Sequence, residues 1–592
     1  MISGYTHNLS IQILVDLLIK HGVRKAVVSP GTTNLEFIAA LQFNKEFEIY
    51  SSIDERSAAY MACGIAEESG EPIIIACTES TASRNYFPGL TEAFYRKLPI
   101  IVVTGIHRYY HIGSLFPQVI DRSESPKDLV VFKAQLPIIK DKEDVKQTEL
   151  LVNKALLAAK GSNPGPVHID LPCCNDDYDF SCKELYHAHM IERYEVDDAL
   201  PDFPKGKIAV YIGSHRNFTK KETECLDAFC ASHNAVVFCD HTSGYHGKYA
   251  FHAGLLSVQR RKYEIMDNIA CLIHLGEQMA DWPTMTKLKS AKTTWRVSPD
   301  GELRDTFDNL SKVFKMTLTD FFKQYIADGK NESSYYKECL SLKNSLTIPI
   351  EQLPLSNVYT AVKISSILPS DSIIHLGASN TVRAWSLFDF PDGVKSYGNV
   401  GCRGIDGVLS SAVGAALADK KHLHFCIVGD LMFYYDMNCL GNRDLTGNLR
   451  ILLINNNGGG IFKQRVAPGH KFFGDAATDE YIAAANHFCR GENNVVKNYV
   501  ESLGFKYISA KTKEEFDLLY EAFVIDTNFN QPVFFEVFTK DYDDREAFDI
   551  IGSIDFDNSS LSKQSVKTTA KKIAKNLLGQ KGTEIVKILA GR

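Results

Sequence analysis

Two short stretches carry residue types suited to metal chemistry, Gly429-Asp430-Leu431 and Asn455-Asn456-Asn457-Gly458-Gly459. One carboxylate, one amide oxygen and a backbone carbonyl make a hard-oxygen ligand set that suits Mg²⁺. A diphosphate would fill the remaining positions with its own oxygens, and glycines let the backbone approach phosphate closely. Gly-Asp and Asn-Gly are also common turn pairs, so either stretch alone reads as an ordinary turn. Together, each directly after an apolar strand, they point to a site.

Those strands, 424–428 and 449–454, must lie side by side and parallel to bring both loops to the carboxyl edge of one sheet, where ligands bind in such folds. The same alternation recurs along the chain. Apolar strands are expected at 25–28, 48–53, 72–77 and 99–104, with helices at 11–21, 57–68 and 81–96 between them. Further strands fall at 208–213, 235–240 and 270–276, then at 372–376 and 533–537. Continuous apolar strands separated by helices predict an α/β protein of three doubly wound parallel-sheet domains. The expected boundaries are 1–190, 200–345 and 355–555, with a Lys-rich helical tail over 556–592 that the sequence assigns no role. The polar stretch 330–345, followed by Pro349 and Pro354, reads as a linker.

The whole-chain properties exclude several classes. A chain of 592 residues exceeds one hydrophobic core. Net charge of -7 argues against a nucleic-acid binder. No apolar run reaches the length of a membrane span, and the start of the chain lacks the basic and apolar segments of a signal peptide. The 14 cysteines include no C-x-x-C pair, and Cys77, Cys239, Cys271 and Cys426 sit in apolar surroundings as small core residues. A cytoplasmic location is expected.

The Gly-Asp and Asn-Asn loops, continued through Tyr435-Asp436-Met437-Asn438 and Gly460-Ile461-Phe462, resemble the signature of thiamine-diphosphate enzymes. The version here is similar to one branch, the menaquinone-pathway SEPHCHC synthase (MenD) family, which couples decarboxylated 2-oxoglutarate to isochorismate. Independent support lies in Ser29-Pro30-Gly31, Asp54-Glu55-Arg56, Cys77-Thr78, Thr81-Ala82 and Asn85-Tyr86, whose order resembles that family's pyrimidine-binding domain. The resemblance implies pyrimidine-binding, middle and diphosphate-binding domains. It implies Mg²⁺ on Asp430, Asn456 and the carbonyl of Gly458, and cofactor contacts from Gly429, Leu431, Gly459, Ile461 and Ser379. Ile405, in Gly404-Ile405-Asp406-Gly407, would wedge under the cofactor. Glu55 would be the activating acid, with burial helping it share a proton with the pyrimidine nitrogen so that the thiazolium C2 can be deprotonated. Without that resemblance, Asp54-Glu55-Arg56 is a charged first turn that suits the helix dipole.

Ser379 and Arg383 match the family's donor-binding Ser and Arg, and Gln118 matches a pocket residue. Elsewhere the sequence departs. Thr32-Thr33 replaces Ser-Arg after Ser-Pro-Gly, and Asn399-Val400-Gly401-Cys402-Arg403 replaces Asn-Arg-Gly, moving the arginine by three positions or removing it. Glu79 stands where the family has a small residue near the cofactor, and Lys463 and Arg465 add charge to a more apolar loop. The first reading is therefore a decarboxylating carboligase with 2-oxoglutarate as donor and an acceptor other than isochorismate, its substrate contacts drawn from Arg383, Gln118, Arg403, Thr32 and Thr33. The family's own reaction, a simple 2-oxo acid decarboxylase and a silent binding protein stay open. Because Glu55 and Asp430 lie in different domains yet serve one cofactor in the family, a homodimer or homotetramer is expected, with no nucleic-acid or membrane partner.

Overall fold

The computed structural model describes residues 4–554 apart from 174–177, 262, 328, 330, 483–493, 526–529 and 541, so the expected tail at 556–592 lies outside the described residues. The chain forms two compact units: residues 1–201 with 295–306 and 310–316, and residues 202–294, 307–309 and 317–592.

The first unit carries β1 (Lys25–Val28), β2 (Glu48–Ser51), β3 (Ile73–Thr78), β4 (Ile100–Ile106), β5 (Phe132–Gln135) and β6 (Val167–Pro172), in the order β2-β1-β3-β4-β6-β5. All its pairs are parallel. Side chains alternate across a strand, so each strand feeds two cores. Ile73, Ile75, Ile100 and Val102 pack with Ala58, Ala59 and Ala62 of helix Glu55–Ser69. Ile74, Ala76, Ile101 and Val103 pack on the opposite face with helices Leu9–Lys20 and Lys142–Ala159.

The middle of the chain forms β7 (Glu192–Tyr194), β8 (Lys207–Ile212), β9 (Val236–Cys239), β10 (Ala250–Phe251), β11 (Ile269–Leu275), β12 (Thr294–Val297) and β13 (Leu310–Phe314). The second unit has β10-β9-β8-β11 in that order, all parallel.

The third sheet lies wholly in the second unit. It comprises β14 (Ile373–Leu376), β15 (Lys395–Tyr397), β16 (His424–Gly429), β17 (Leu449–Asn455), β18 (Lys506–Ala510) and β19 (Val533–Phe538). Their order, β15-β14-β16-β17-β19-β18, is the order of the first sheet repeated, again parallel throughout. Its two faces divide in the same way: Cys426, Val428, Ile451 and Leu453 enter one core, and Phe425, Ile427, Leu452 and Ile454 the other. The α/β class with three parallel sheets is thus as expected. Among the described residues no helix is long and apolar enough to cross a membrane.

Two local expectations are corrected. The helix expected over 81–96 is two, Thr81–Asn85 and Phe87–Arg96, because Pro88 must sit at a helix start, where no amide hydrogen is needed. The stretch read as a linker holds the helix Ser334–Ser345. Tyr335 and Cys339, four apart and so on one face, are buried by it, and the Tyr335 hydroxyl donates to the carbonyl of Ile265 at 2.8 Å. Polar residues on the outer face hid that pattern. Tyr335→Ala is expected to lower the unfolding free energy of the second unit by about 3–5 kcal/mol, and Tyr335→Phe by about 1 kcal/mol. Urea denaturation checks both values, and an unchanged Tyr335→Ala midpoint would return the segment to a linker.

Candidate active site

β16 and β17 pair with Gly429 opposite Ile454, which sets the two loops of the metal motif side by side at the carboxyl edge. Asp430 opens the helix Asp430–Asp436 and is buried. Its Oδ1 accepts from the Leu431 amide at 2.7 Å and its Oδ2 from the Gly458 amide at 2.9 Å. The same Gly458 amide lies 3.2 Å from Asn456 Oδ1, so the carboxylate and the amide oxygen converge on one point. Burial pushes the Asp430 carboxyl up to about 6, against the opposing effect of backbone amides of Gly458, Leu431, Asn457 and Asn456. Among the described residues no cluster of three His, Cys, Asp or Glu side chains offers a rival metal site.

One cavity of about 160 Å³ collects Gly429, Asp430, Leu431, Asn456, Gly458, Gly459, Ile461, Ile405 and Ser379. Every residue expected to touch the cofactor's diphosphate side or its wedge is therefore in one place. A Cβ at Gly460 would lie 2.6 Å from Asn456 Nδ2, so a side chain there would push that amide from its place. Three residues with no motif to announce them complete the wall: Asn357, Asn380 and Asp544. Buried Asp544 accepts from the Asn357 amide and side chain at 2.8 Å each, and from Asn380 Nδ2 at 3.2 Å. Burial raises its carboxyl pKa. That contact turns the Asn380 amide so that its buried Oδ1 has no partner. A buried acceptor left open costs roughly 1–3 kcal/mol, so it marks a place for a donor such as metal-bound water.

A second cavity of about 290 Å³ shares Ala378, Ser379 and Ile405 with the first and adds Arg383, Arg403, Asn399, Val400, Ala280 and Trp282. Arg403 has φ 56°, a left-handed turn that swings its side chain over the Trp282 ring, with 6.0 Å to the centroid. Burial first, and then the like charge of Arg403, lower the Arg383 pKa. No carboxylate lies within 4.0 Å of either guanidinium among the described residues. Arg403 and Val400 line the same cavity, which is the placement expected if the arginine has moved by three positions rather than been removed.

In the first unit, Glu55 starts the helix after β2, and its Oε2 accepts from Asn85 Nδ2 at 3.0 Å. It is half-buried rather than buried, because among the described residues nothing in its own unit covers that edge fully. Thr33 is turned inward: its hydroxyl donates to the Gly105 carbonyl at 2.8 Å and meets the Thr78 hydroxyl. Thr32 and Gln118 are exposed, Gln118 with φ 66°. Glu79 is buried against His107, a pairing the sequence did not disclose.

Residues 11–125 match the family model described as thiamine pyrophosphate enzyme, N-terminal TPP binding domain. With the metal-type loops of the second unit, this makes the chain a thiamine-diphosphate-dependent enzyme. It is 31% identical over 550 residues to a 2-succinyl-5-enolpyruvyl-6-hydroxy-3-cyclohexene-1-carboxylate synthase of Phocaeicola vulgatus, covering 90% of this chain and 96% of that protein. Proteins of the same name from Bacteroides fragilis and Bacteroides thetaiotaomicron are each 30% identical, covering 90% of this chain and 97% and 96% of theirs. The chain belongs to the 2-succinyl-5-enolpyruvyl-6-hydroxy-3-cyclohexene-1-carboxylate synthase family.

That family takes thiamine diphosphate with a divalent metal, typically Mg²⁺. The residues present fit the group: a hard-oxygen donor set, a glycine-lined approach for phosphate and an unmatched amide oxygen. Asp430, Asn456 and the Gly458 carbonyl would hold the metal. When bound, the cofactor supplies a stabilised carbanion equivalent for 2-oxo acid chemistry. Metal binding requires Asp430 ionised. In the metal-free chain a carboxyl raised from 3.8 to about 6 gives stability that is present below its unfolded value and lost as pH rises through about 6. A bound cation reverses that loss. The rise in Tm caused by Mg²⁺ with thiamine diphosphate should therefore be full above pH 7 and at least halved at pH 5, measured by differential scanning fluorimetry against buffer-matched controls.

Proposed function

We propose that the chain forms 2-succinyl-5-enolpyruvyl-6-hydroxy-3-cyclohexene-1-carboxylate, as its relatives' name states, with 2-oxoglutarate as donor and isochorismate as acceptor. The observation that carries this reading is the pair Arg383 and Arg403, without carboxylate partners among the described residues, in a cavity that shares the Ser379 and Ile405 wall with the loops after β16 and β17. Arg383 is half-buried and Arg403 exposed at the cavity's edge, and planar arginine forks match carboxylates. Two of them suit substrates that bring more than one carboxylate. Ser379 and Arg383 hold the donor's remote carboxylate, and Arg403 on its Trp282 shelf takes the place of the arginine missing at 400. The contrary pull is the sequence at Thr33 and Val400, which keeps an acceptor other than isochorismate as an outcome of the test.

Glu55 acts as the activating acid, and the functional unit is at least a homodimer. Ile53 is 86% exposed, and Tyr60 and Met61 of the same helix region are exposed too, an apolar edge beside a half-buried glutamate that a second copy would cover. The reaction takes place in the cytoplasm, and neither nucleic acid nor membrane is a partner.

Arg383→Ala should raise KM for 2-oxoglutarate about tenfold or more, the loss of a charge-assisted contact being roughly 1.5–3 kcal/mol. Glu55→Gln should abolish turnover while calorimetric binding of thiamine diphosphate persists. The direct assay offers isochorismate against aldehydes, ketoses and keto-sugars with 2-oxoglutarate as donor. Efficient succinylation of isochorismate supports the reading; coupling to another acceptor alone, or release of succinic semialdehyde alone, overturns it.

A further inference from the structure

Outside the residues already given a role, one polar pair stands at the carboxyl edge of the first sheet. Glu79 directly follows β3 and His107 directly follows β4. Glu79 is 4% exposed, and its Oε1 accepts from the His107 amide at 3.0 Å and also from the ring Nδ1. The His107 side chain is 28% exposed, and among the described residues its Nε2 has no hydrogen-bond partner. A carboxylate fixed on Nδ1 sets the tautomer and leaves Nε2 to exchange protons outward, the geometry of an acid–base dyad. The loop after β4 that starts with His107 also bears Gln118.

The position itself has a counterpart. The first and third sheets share one strand order, and in the third sheet the third and fourth strands in chain order end in Asp430 and Asn456. In the first sheet the same two strands end in Glu79 and His107. Close packing brings the neighbouring loop in: Gly105, near the end of β4, leaves no room for a Cβ against the Thr33 backbone. Glu55 follows β2, which lies two strands, about 10 Å of backbone spacing, from β3 along the edge.

The overall reaction asks for such a second group. The bond between C1 and C2 of the 2-oxo acid breaks and CO₂ leaves. The electron pair left on C2 forms the new carbon–carbon bond, and the acceptor's displaced π pair takes one proton. Charge balances only if that proton is taken up in each turnover. Glu55 lends a proton and recovers it, so it cannot be the net source. We propose that His107, held by Glu79, is the general acid that delivers this proton to the acceptor and is recharged from solvent at its exposed edge. The inference rests on the proposed 2-oxo acid chemistry. The other titratable groups around the pair are Arg108, Tyr109, Arg122, Asp170 and, across the Phe116 ring that packs on His107, His111; Asp170 is already engaged by Arg122 at 2.8 Å and Lys133 at 3.7 Å.

The test uses the full chain with thiamine diphosphate and Mg²⁺, as wild type, Glu79→Gln, His107→Gln and His107→Gly. Wild-type kcat should fall as pH rises, because the acid must be protonated. His107→Gln should lose about a hundredfold in kcat or more, with that alkaline limb gone and donor KM within twofold. Glu79→Gln should lose less and shift the limb, and added imidazole should restore part of the His107→Gly activity. Calorimetric Kd for thiamine diphosphate, read without turnover, should stay within threefold in every variant. A His107→Gln enzyme within threefold of wild-type kcat overturns the inference, as does an unmoved alkaline limb or a loss matched by weakened cofactor binding. A wild type that turns over no 2-oxo acid overturns the proposed function and this inference together, whereas an active wild type with an active His107→Gln removes only the inference.

Discussion

The second unit is organised around a carboxylate that its own fold makes uncomfortable. Asp430 is buried at the end of β16, where burial raises its carboxyl to about 6 and only backbone amides answer it. A buried anion without a cation is costly, and a divalent ion relieves that cost. Much else in the unit serves this residue. Parallel pairing of β16 with β17 brings Asn456 to it, Gly460 clears the space, and the Asp544–Asn357–Asn380 contact aims one more oxygen inward.

The strand order explains why the chemistry sits where it does. In β2-β1-β3-β4-β6-β5 and in its repeat, chain direction across the sheet reverses between the first and third strands. Loops leaving those strands diverge and open a crevice at the carboxyl edge. Ser379 after β14 and Asp430 after β16 flank that crevice in the third sheet and line one cavity. Thr33 after β1 and Glu79 after β3 flank it in the first. One architecture thus places Asp430 and Asn456 at the carboxyl edge in one unit and Glu79 and His107 at the same edge in the other.

Much of this was legible in the sequence, for a physical reason. Apolar strands buried on both faces read as continuous runs, and loops such as Gly429-Asp430 and Asn456-Gly458 follow them directly, so motif and element locate each other. What stayed hidden depends on contacts distant in the chain. Asn357, Asn380 and Asp544 meet only through folding and form no local pattern. Arg403 looked displaced because a count of positions cannot foresee the left-handed turn that redirects its side chain. The segment 330–345 looked like a linker because its buried face is only Tyr335 and Cys339 amid polar residues. Glu55, expected to be buried, is half-buried at the edge of its own unit.

The central claim is that the loops ending β16 and β17 hold a diphosphate through a metal. Titration calorimetry of thiamine diphosphate into chelator-treated protein tests it most directly, with and without Mg²⁺, for wild type and Asn456→Ala. The account predicts one cofactor per chain, binding that needs Mg²⁺, and affinity at least tenfold weaker in Asn456→Ala. Equal binding without the metal, or a variant that binds as wild type does, would contradict it.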